Sequence, residues 1–89
     1  MKHKHRKVLE IIFKRPASGN VRWNDVMSML KACGAEIDDR RAGSRVHIEL
    51  KGNDLIQHRP HPASTMDKGA VEALRKFLIL CGILPKRRE

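Results

Sequence analysis

The chain has few aromatic residues: they make up 3% of its 89 residues, and tyrosine is absent. The three aromatic side chains are Phe13, Trp23 and Phe77. Domains that read single-stranded bases by stacking need exposed aromatic side chains, and each stacked base contributes about 1–3 kcal/mol. Because the core also needs some of the three, base stacking is disfavoured, which leaves recognition through charge and shape.

Cysteines, long apolar runs and nucleotide-binding motifs are also scarce. The two cysteines cannot build a disulfide framework, and neither belongs to a Cys-x-x-Cys pair. No run approaches the roughly 18 apolar residues of a membrane span, and no apolar stretch follows the basic N-terminus. No phosphate loop, nucleophile elbow or dinucleotide fingerprint occurs. We therefore expect a soluble, cytoplasmic protein without a membrane partner or small-molecule cofactor, folded as one domain over residues 1–89.

Positive charge is what the sequence has in excess. Lysine and arginine number 19 against 10 aspartate and glutamate, which gives a formal net charge of +9 at pH 7. Counted by segment, residues 1–22 carry +6, residues 23–39 carry −3, and residues 40–62 and 63–89 carry +3 each. This charge density calls for a polyanionic partner. Since nothing favours a membrane surface, the expected partner is a nucleic acid.

Apolar spacing predicts three helices, over residues 5–15, 24–34 and 67–81. Either Asn24 or Asp25 can cap the second helix, because both side chains carry an oxygen that accepts backbone N–H groups. The apolar positions at helical spacing are Val8, Leu9, Ile12 and Phe13; Val26, Met29, Leu30 and Cys33; and Val71, Leu74, Leu78 and Cys81. The two cysteines are therefore interpreted as small core residues.

Three short strands are predicted between the second and third helices. Residues 35–39 alternate weakly, residues 44–50 alternate clearly, and residues 55–58 form a third strand after a turn at Gly52-Asn53. In the middle strand, Val46, Ile48 and Leu50 face one side, and Arg45, His47 and Glu49 face the other. The order α-α-β-β-β-α predicts an α+β fold. Its three-stranded antiparallel sheet is covered by helices on one face and wet on the other.

Histidines are the candidates for RNA cleavage without metal. One group must take the proton of the 2′-hydroxyl and another must protonate the leaving oxygen, and imidazole titrates in the right range for both. His47 shares the predicted wet face with Arg45 and Glu49, an arrangement that also fits an ordinary solvated strand. His3 and His5 lie in a basic N-terminal run and are expected to contribute only charge.

A second pair of histidines lies in the segment His58-Arg59-Pro60-His61-Pro62. Its two prolines are expected to hold the backbone extended and to place the imidazoles beside Arg59. The spacing of His58 and His61 could also suit a metal pair. Because no cysteine or carboxylate ligand lies nearby in sequence, no metal site is expected.

Several motifs occur together along the chain. They are a helix ending at Gly34, Gly43-Ser44 opening a strand, His61 eight residues before Gly69, and a basic closing helix that ends at Gly82. In this order they resemble the HicA family of toxin mRNA interferases over residues 23–84. Residues 1–15, the predicted N-terminal basic helix, lie outside the usual domain of that family.

The resemblance implies a double-stranded-RNA-binding-like fold, metal-independent cleavage of translated mRNA, and inhibition by a HicB-like antitoxin protein. The family pattern is Gly-Ser-His with a catalytic histidine, whereas this chain has Gly43-Ser44-Arg45, and arginine cannot act as a general base near neutral pH. The catalytic candidates are therefore His47, on the same predicted face, and His61, which matches the family's later histidine. The residues expected to contact RNA are Arg41, Arg45, His58, Arg59 and Lys68.

Two other functional classes stay open at this point. A non-catalytic RNA-binding module of the same fold would share the charge and the sheet. A DNA-binding protein could use residues 23–34 as one helix of a helix-turn-helix, but that segment and the strand after it are net acidic, which makes a poor recognition helix.

Overall fold

The chain folds into three helices and three strands, in a computed structural model that describes residues 1–40 and 43–85. The elements are α1 (His3–Ile12), α2 (Trp23–Ala32), β1 (Glu36–Asp38), β2 (Arg45–Leu50), β3 (Asn53–His58) and α3 (Lys68–Leu80). The order α-α-β-β-β-α and the predicted α+β class are confirmed.

The strands form one antiparallel sheet in the order β1-β2-β3. In β2 the predicted alternation is confirmed, because Val46, Ile48 and Leu50 are buried and the residues between them are exposed or half-buried. The turn between β2 and β3 is Lys51-Gly52, where both residues have positive φ, 50° and 79°. Two-residue turns with this geometry match the twist of the strands they join. The predicted turn at Gly52-Asn53 is therefore wrong by one residue.

The starts of α2 and α3 are satisfied in different ways. Arg22 is the N-cap residue of α2 and makes no side-chain cap, so the predicted caps Asn24 and Asp25 are wrong and lie inside the first turn. Instead, the backbone N–H of Trp23 donates to the carbonyl oxygen of Ser64 at 3.0 Å, in the loop before α3. At α3, Asp67 caps the helix by accepting a 2.8 Å hydrogen bond from the N–H of Ala70.

The core lies between the inner face of the sheet and the helices. Helix α2 contacts β1, α3 contacts β3, and α1 packs on α2 and α3 without contacting a strand. The fully buried apolar side chains include Ile12, Val26, Met29, Leu30, Val46, Ile48, Val71, Leu74 and Leu78. Helix α1 therefore forms an outer layer on the helical side, and the opposite face of the sheet faces water.

Candidate functional site

The register of β2 and β3 brings two separate parts of the sequence together at one end of the sheet. Arg45 lies directly opposite His58, and the backbone N–H of Arg59 donates to the carbonyl oxygen of Ser44 at 2.8 Å. The Ser44 Oγ lies 3.3 Å from Nδ1 of His58. Side chains directly opposite one another project from the same face, with Cβ atoms about 4.5–5.5 Å apart. An arginine and an imidazole therefore stand side by side, both exposed to solvent.

Beyond β3 the chain forms a cleft of about 230 Å³, which we call the histidine cleft. Its lining residues are His58, Pro60, His61, Ala63, Thr65, Met66, Asp67 and Ala70. The segment does not stay extended as predicted, because the chain bends at His61 and Pro62. Both imidazoles of the His-Arg-Pro-His-Pro segment consequently line one cleft, beside the capped N-terminus of α3.

Lys68 extends the positive surface near this cleft. It is the first residue of α3, follows the cleft residue Asp67 and is exposed. The N-terminus of a helix carries the positive end of its dipole, which favours anions. The predicted RNA contact at Lys68 therefore adjoins the cleft, whereas the predicted contact at Arg41 lies outside the described residues.

His47 belongs to a different part of the exposed sheet face. Its Nε2 lies 2.8 Å from Oδ1 of Asp54 on β3, and its side chain is 29% exposed. It lines a second depression, together with Glu36, Ile37, Asp38, Arg40 and Glu49. The two predicted catalytic histidines, His47 and His61, thus line separate depressions.

Charge on the exposed sheet face is segregated. The register sets Glu36 opposite Glu49, and Glu49 opposite Asp54, which makes a row of three carboxylates across the three strands. We call these three residues the acidic row. A polyanion is repelled by this row and attracted by Arg45 at the other end of β2. The prediction that Arg45, His47 and Glu49 share a face is confirmed, but their environments differ.

Arg59 turns away from the histidine cleft. Its Nη2 donates to Oδ2 of Asp39 at 3.0 Å, and both side chains are about half exposed. It lines a third depression, together with Trp23, Asn24, Met27, Lys31, Ile37, Asp39 and Val46. Exposed ion pairs of this kind contribute only about 0–1 kcal/mol, so a phosphate can compete with Asp39 for the guanidinium.

His5 is not the surface charge that the sequence suggested. It is 6% exposed, and its Nε2 lies 3.0 Å from the hydroxyl oxygen of Ser28 on α2. Its Nδ1 is buried and has no hydrogen-bond partner among the described residues. The imidazole joins α1 to α2, and its place in the apolar stripe with Val8, Leu9 and Ile12 is the sequence signal for this role.

Local sequence patterns do not predict the contact between Ser44 and His58. The sequence feature that could predict this contact is the hairpin turn, because a two-residue turn at Lys51-Gly52 fixes every cross-strand pair of β2 and β3. In the described segments, 1–40 and 43–85, no group of three histidine, cysteine or acidic side chains could hold a metal ion. None of the helices in these segments has the length and apolar character of a membrane span.

A family model described as the HicA toxin of bacterial toxin-antitoxin matches residues 23–80. The matched segment runs from the first residue of α2 to the last residue of α3, and leaves α1 outside. No curated protein and no solved structure matches the chain significantly. Since the matched residues make up well over half of the sequence, the chain belongs to the HicA toxin family of bacterial toxin–antitoxin systems.

Proposed function

We propose that this chain is a toxin that cleaves mRNA, an endoribonuclease that uses histidine acid and base catalysis and needs no metal. HicA toxins are mRNA-cleaving ribonucleases, and the family match supports the same substrate class here. The observation that carries the proposal is the histidine cleft, where His61 lies beside the end of the sheet that bears Arg45. The net charge of +9 suits a polyanionic substrate.

The reaction needs only proton transfer and charge stabilisation. The 2′-oxygen of a ribose attacks the adjacent phosphorus as its proton leaves. The bond from phosphorus to the 5′-oxygen breaks, and that oxygen takes a proton. The products are a 2′,3′-cyclic phosphate and a 5′-hydroxyl. His61 moves a proton in this scheme, a role that contributes about 10²- to 10⁴-fold to the rate.

The phosphate is held by arginine rather than by a metal. Arg45 carries a planar guanidinium, whose N–H donors suit the oxygens of a phosphate. Its exposed position on β2 leaves it open to a phosphodiester that enters the cleft from solvent. His58, Arg59 and Lys68 add contacts along the backbone of the RNA, as does Arg41 in the segment before β2.

His47 is the second candidate for proton transfer. Its contact with Asp54 would hold the imidazole in one orientation. The acidic row beside it works against a bound phosphate, so the geometry favours His61. The two candidates are separated by testing each alanine variant alone.

The test of the proposal is cleavage of a long mRNA by purified full-length protein in EDTA. We expect the wild type to cleave. The control His3→Ala should also cleave, because it removes an exposed histidine on α1, away from the cleft. His61→Ala should cleave at least 100-fold more slowly. Salt-dependent RNA binding without cleavage would establish the binding-only module instead. Absence of both binding and cleavage would remove RNA as the substrate.

The proposed protein partner is a HicB-like antitoxin. Families of toxin–antitoxin systems pair a toxin with a protein or RNA that silences it, and the family match supports such a pairing here. Expression of the chain alone should arrest growth. Co-expression of a small protein from the adjacent reading frame should relieve the arrest and co-purify with the chain, whereas arrest that persists with that protein present would contradict the pairing.

A further inference from the structure

A second imidazole, that of His58, lies in the histidine cleft together with His61. We propose that His58 is a further catalytic residue of the RNA cleavage reaction, accepting the proton of the 2′-hydroxyl while His61 protonates the leaving 5′-oxygen. This inference rests on the proposed function and gives His58 a role beyond contacting the RNA backbone.

The backbone holds His58 more firmly than its neighbours in the loop. It is the last residue of β3 and pairs in register with Arg45, while the next residue is tied to the backbone of Ser44 at 2.8 Å. Strand pairing fixes the direction of the side chain, and the imidazole remains exposed to solvent. A base held on a sheet is placed more reproducibly than one on a mobile segment.

Ser44 orients the ring. Its Oγ lies 3.3 Å from Nδ1 of His58, and Ser44 precedes Arg45 in the chain. When the Nδ1–H group of His58 donates to this hydroxyl, Nε2 carries the free lone pair. In this tautomer Nε2 can accept a proton. The serine thus acts as a positioning residue, and the free nitrogen is the one available to the substrate.

Arg45 supplies the charge next to this base. Because the two side chains stand on directly opposite positions of β2 and β3, a phosphate held by the guanidinium lies within reach of the imidazole. Among the described residues His58 has no ion-pair partner, whereas His47 is bound to Asp54. Within the described segments, His58 therefore lies beside Arg45 without an ion pair to a carboxylate.

The two histidines complete the proton balance. His58 gains one proton from the 2′-hydroxyl as the new oxygen–phosphorus bond forms, and imidazolium at His61 loses one to the departing 5′-oxygen. The protein as a whole neither gains nor loses a proton, and exchange with water resets both rings. A pair of this kind produces a bell-shaped dependence of the rate on pH.

The experiment measures single-turnover cleavage of an mRNA in EDTA across pH 5–9 for the wild type, His58→Ala, His58→Gln, His61→Ala and the control His3→Ala. We expect a bell-shaped profile for the wild type and for His3→Ala. His58→Ala and His58→Gln should cleave about 100-fold more slowly than the wild type. Their pH profiles should also lack the increase in rate on the acidic side, since no base remains to be deprotonated. His61→Ala should lose the fall on the alkaline side.

Further readouts separate catalysis from folding and binding. The thermal midpoint of the His58 variants should stay close to that of the wild type, because the side chain is exposed. Their RNA affinity should fall far less than their cleavage rate, since only one contact to the RNA backbone is lost. The double variant His58→Ala/His61→Ala should be little slower than either single variant, as for groups that act as a unit. If the wild type cleaves and His58→Ala keeps both the acidic and the alkaline side of the pH profile, this inference is wrong and the proposed function still holds. A wild type that does not cleave would overturn both.

Discussion

Arg75 Nε donates a 3.0 Å hydrogen bond to the carbonyl oxygen of Ile12, the last residue of α1. Its Nη2 donates to the carbonyl oxygen of Lys14 at 2.9 Å, and its side chain is almost fully buried. The last carbonyl groups of a helix have no partner within the helix, and a cation there also opposes the negative end of the dipole. Helix α3 belongs to the segment that the family model matches, and α1 precedes that segment. Through Arg75, α3 therefore caps the end of α1.

Replacing Arg75 should destabilise the whole chain. We expect Arg75→Met to lower the free energy of unfolding by about 3 kcal/mol, because it leaves two carbonyl oxygens without donors. Arg75→Lys should recover only part of this, since a single ammonium cannot reproduce the two-armed geometry. Urea denaturation checks both, with the exposed Lys76→Met as control. Equal stabilities of Arg75→Met and Lys76→Met would show that the cap contributes nothing.

The same denaturation tests the domain organisation. If residues 1–15 and 23–84 form one domain, as the sequence predicts, circular dichroism and Trp23 fluorescence should report one coincident transition. A separate early transition of α1 would contradict this prediction.

The acidic row destabilises the sheet. Glu49 has like charges directly opposite on both neighbouring strands, Glu36 on β1 and Asp54 on β3. We expect Glu49→Gln to raise the free energy of unfolding by about 0.2–1 kcal/mol at low salt, and the gain to shrink as NaCl is added. Glu10→Gln is the control, because that carboxylate sits among the basic residues of α1. A Glu49→Gln variant that is less stable than the wild type would show that the row is held by compensating contacts.

Cys33 should react slowly with alkylating reagents. Burial raises the pKa of its thiol, and the nearby charge of Lys51 offsets only part of that effect. The thiolate is the reactive form, so at pH 7 iodoacetamide should modify Cys33 more slowly than a cysteine in an unfolded peptide. A Cys81→Ala background isolates the signal, and a titration midpoint at or below the ordinary thiol value would contradict the expectation.

The raised pKa of the Cys33 thiol also makes the free energy of unfolding depend on pH. The folded thiol holds its proton more tightly than the unfolded thiol, because its pKa is raised. Its contribution to stability is therefore present at neutral pH and is lost as the pH rises through the folded pKa. Replacing Cys33 by alanine should flatten the alkaline part of the stability profile.

RNA binding should depend strongly on salt. About six phosphate contacts to single-stranded RNA give a slope near −4 in a plot of log affinity against log salt concentration. We expect Arg45→Gln to reduce the magnitude of the slope by about 0.7, the value for one phosphate. Lys51→Gln is the matched control, because Lys51 lies in the turn at the far end of β2. A flat salt dependence of the wild type would contradict binding through phosphates.

The sequence predicts the elements better than the register that builds the site. Apolar spacing was sufficient for three helices and for the alternation of β2, since both patterns are local. The turn that the sequence predicts, at Gly52-Asn53, lies one residue late, and a hairpin closed there would set His58 opposite His47. The observed turn at Lys51-Gly52 sets His58 opposite Arg45. Because turn position fixes all cross-strand pairs, a one-residue error moves every contact of the site.

Local sequence patterns also do not predict contacts between segments that are distant in the sequence. The start of α2 is held by the backbone of Ser64, and the end of α1 by Arg75. Neither partner is encoded near the helix end that it satisfies. Local capping rules instead pointed to Asn24 and Asp25, which follow the true start. The acidic row likewise depends on pairing between strands that are separate in sequence.

The most direct measurement is the chemistry of the RNA ends left by the purified full-length protein in EDTA. Wild-type protein should produce 2′,3′-cyclic phosphate and 5′-hydroxyl ends on a long mRNA, and His61→Ala should produce at least 100-fold fewer of them in the same time. Ends bearing 3′-hydroxyl and 5′-phosphate groups, or cleavage that His61→Ala retains in full, would contradict metal-free catalysis in the histidine cleft.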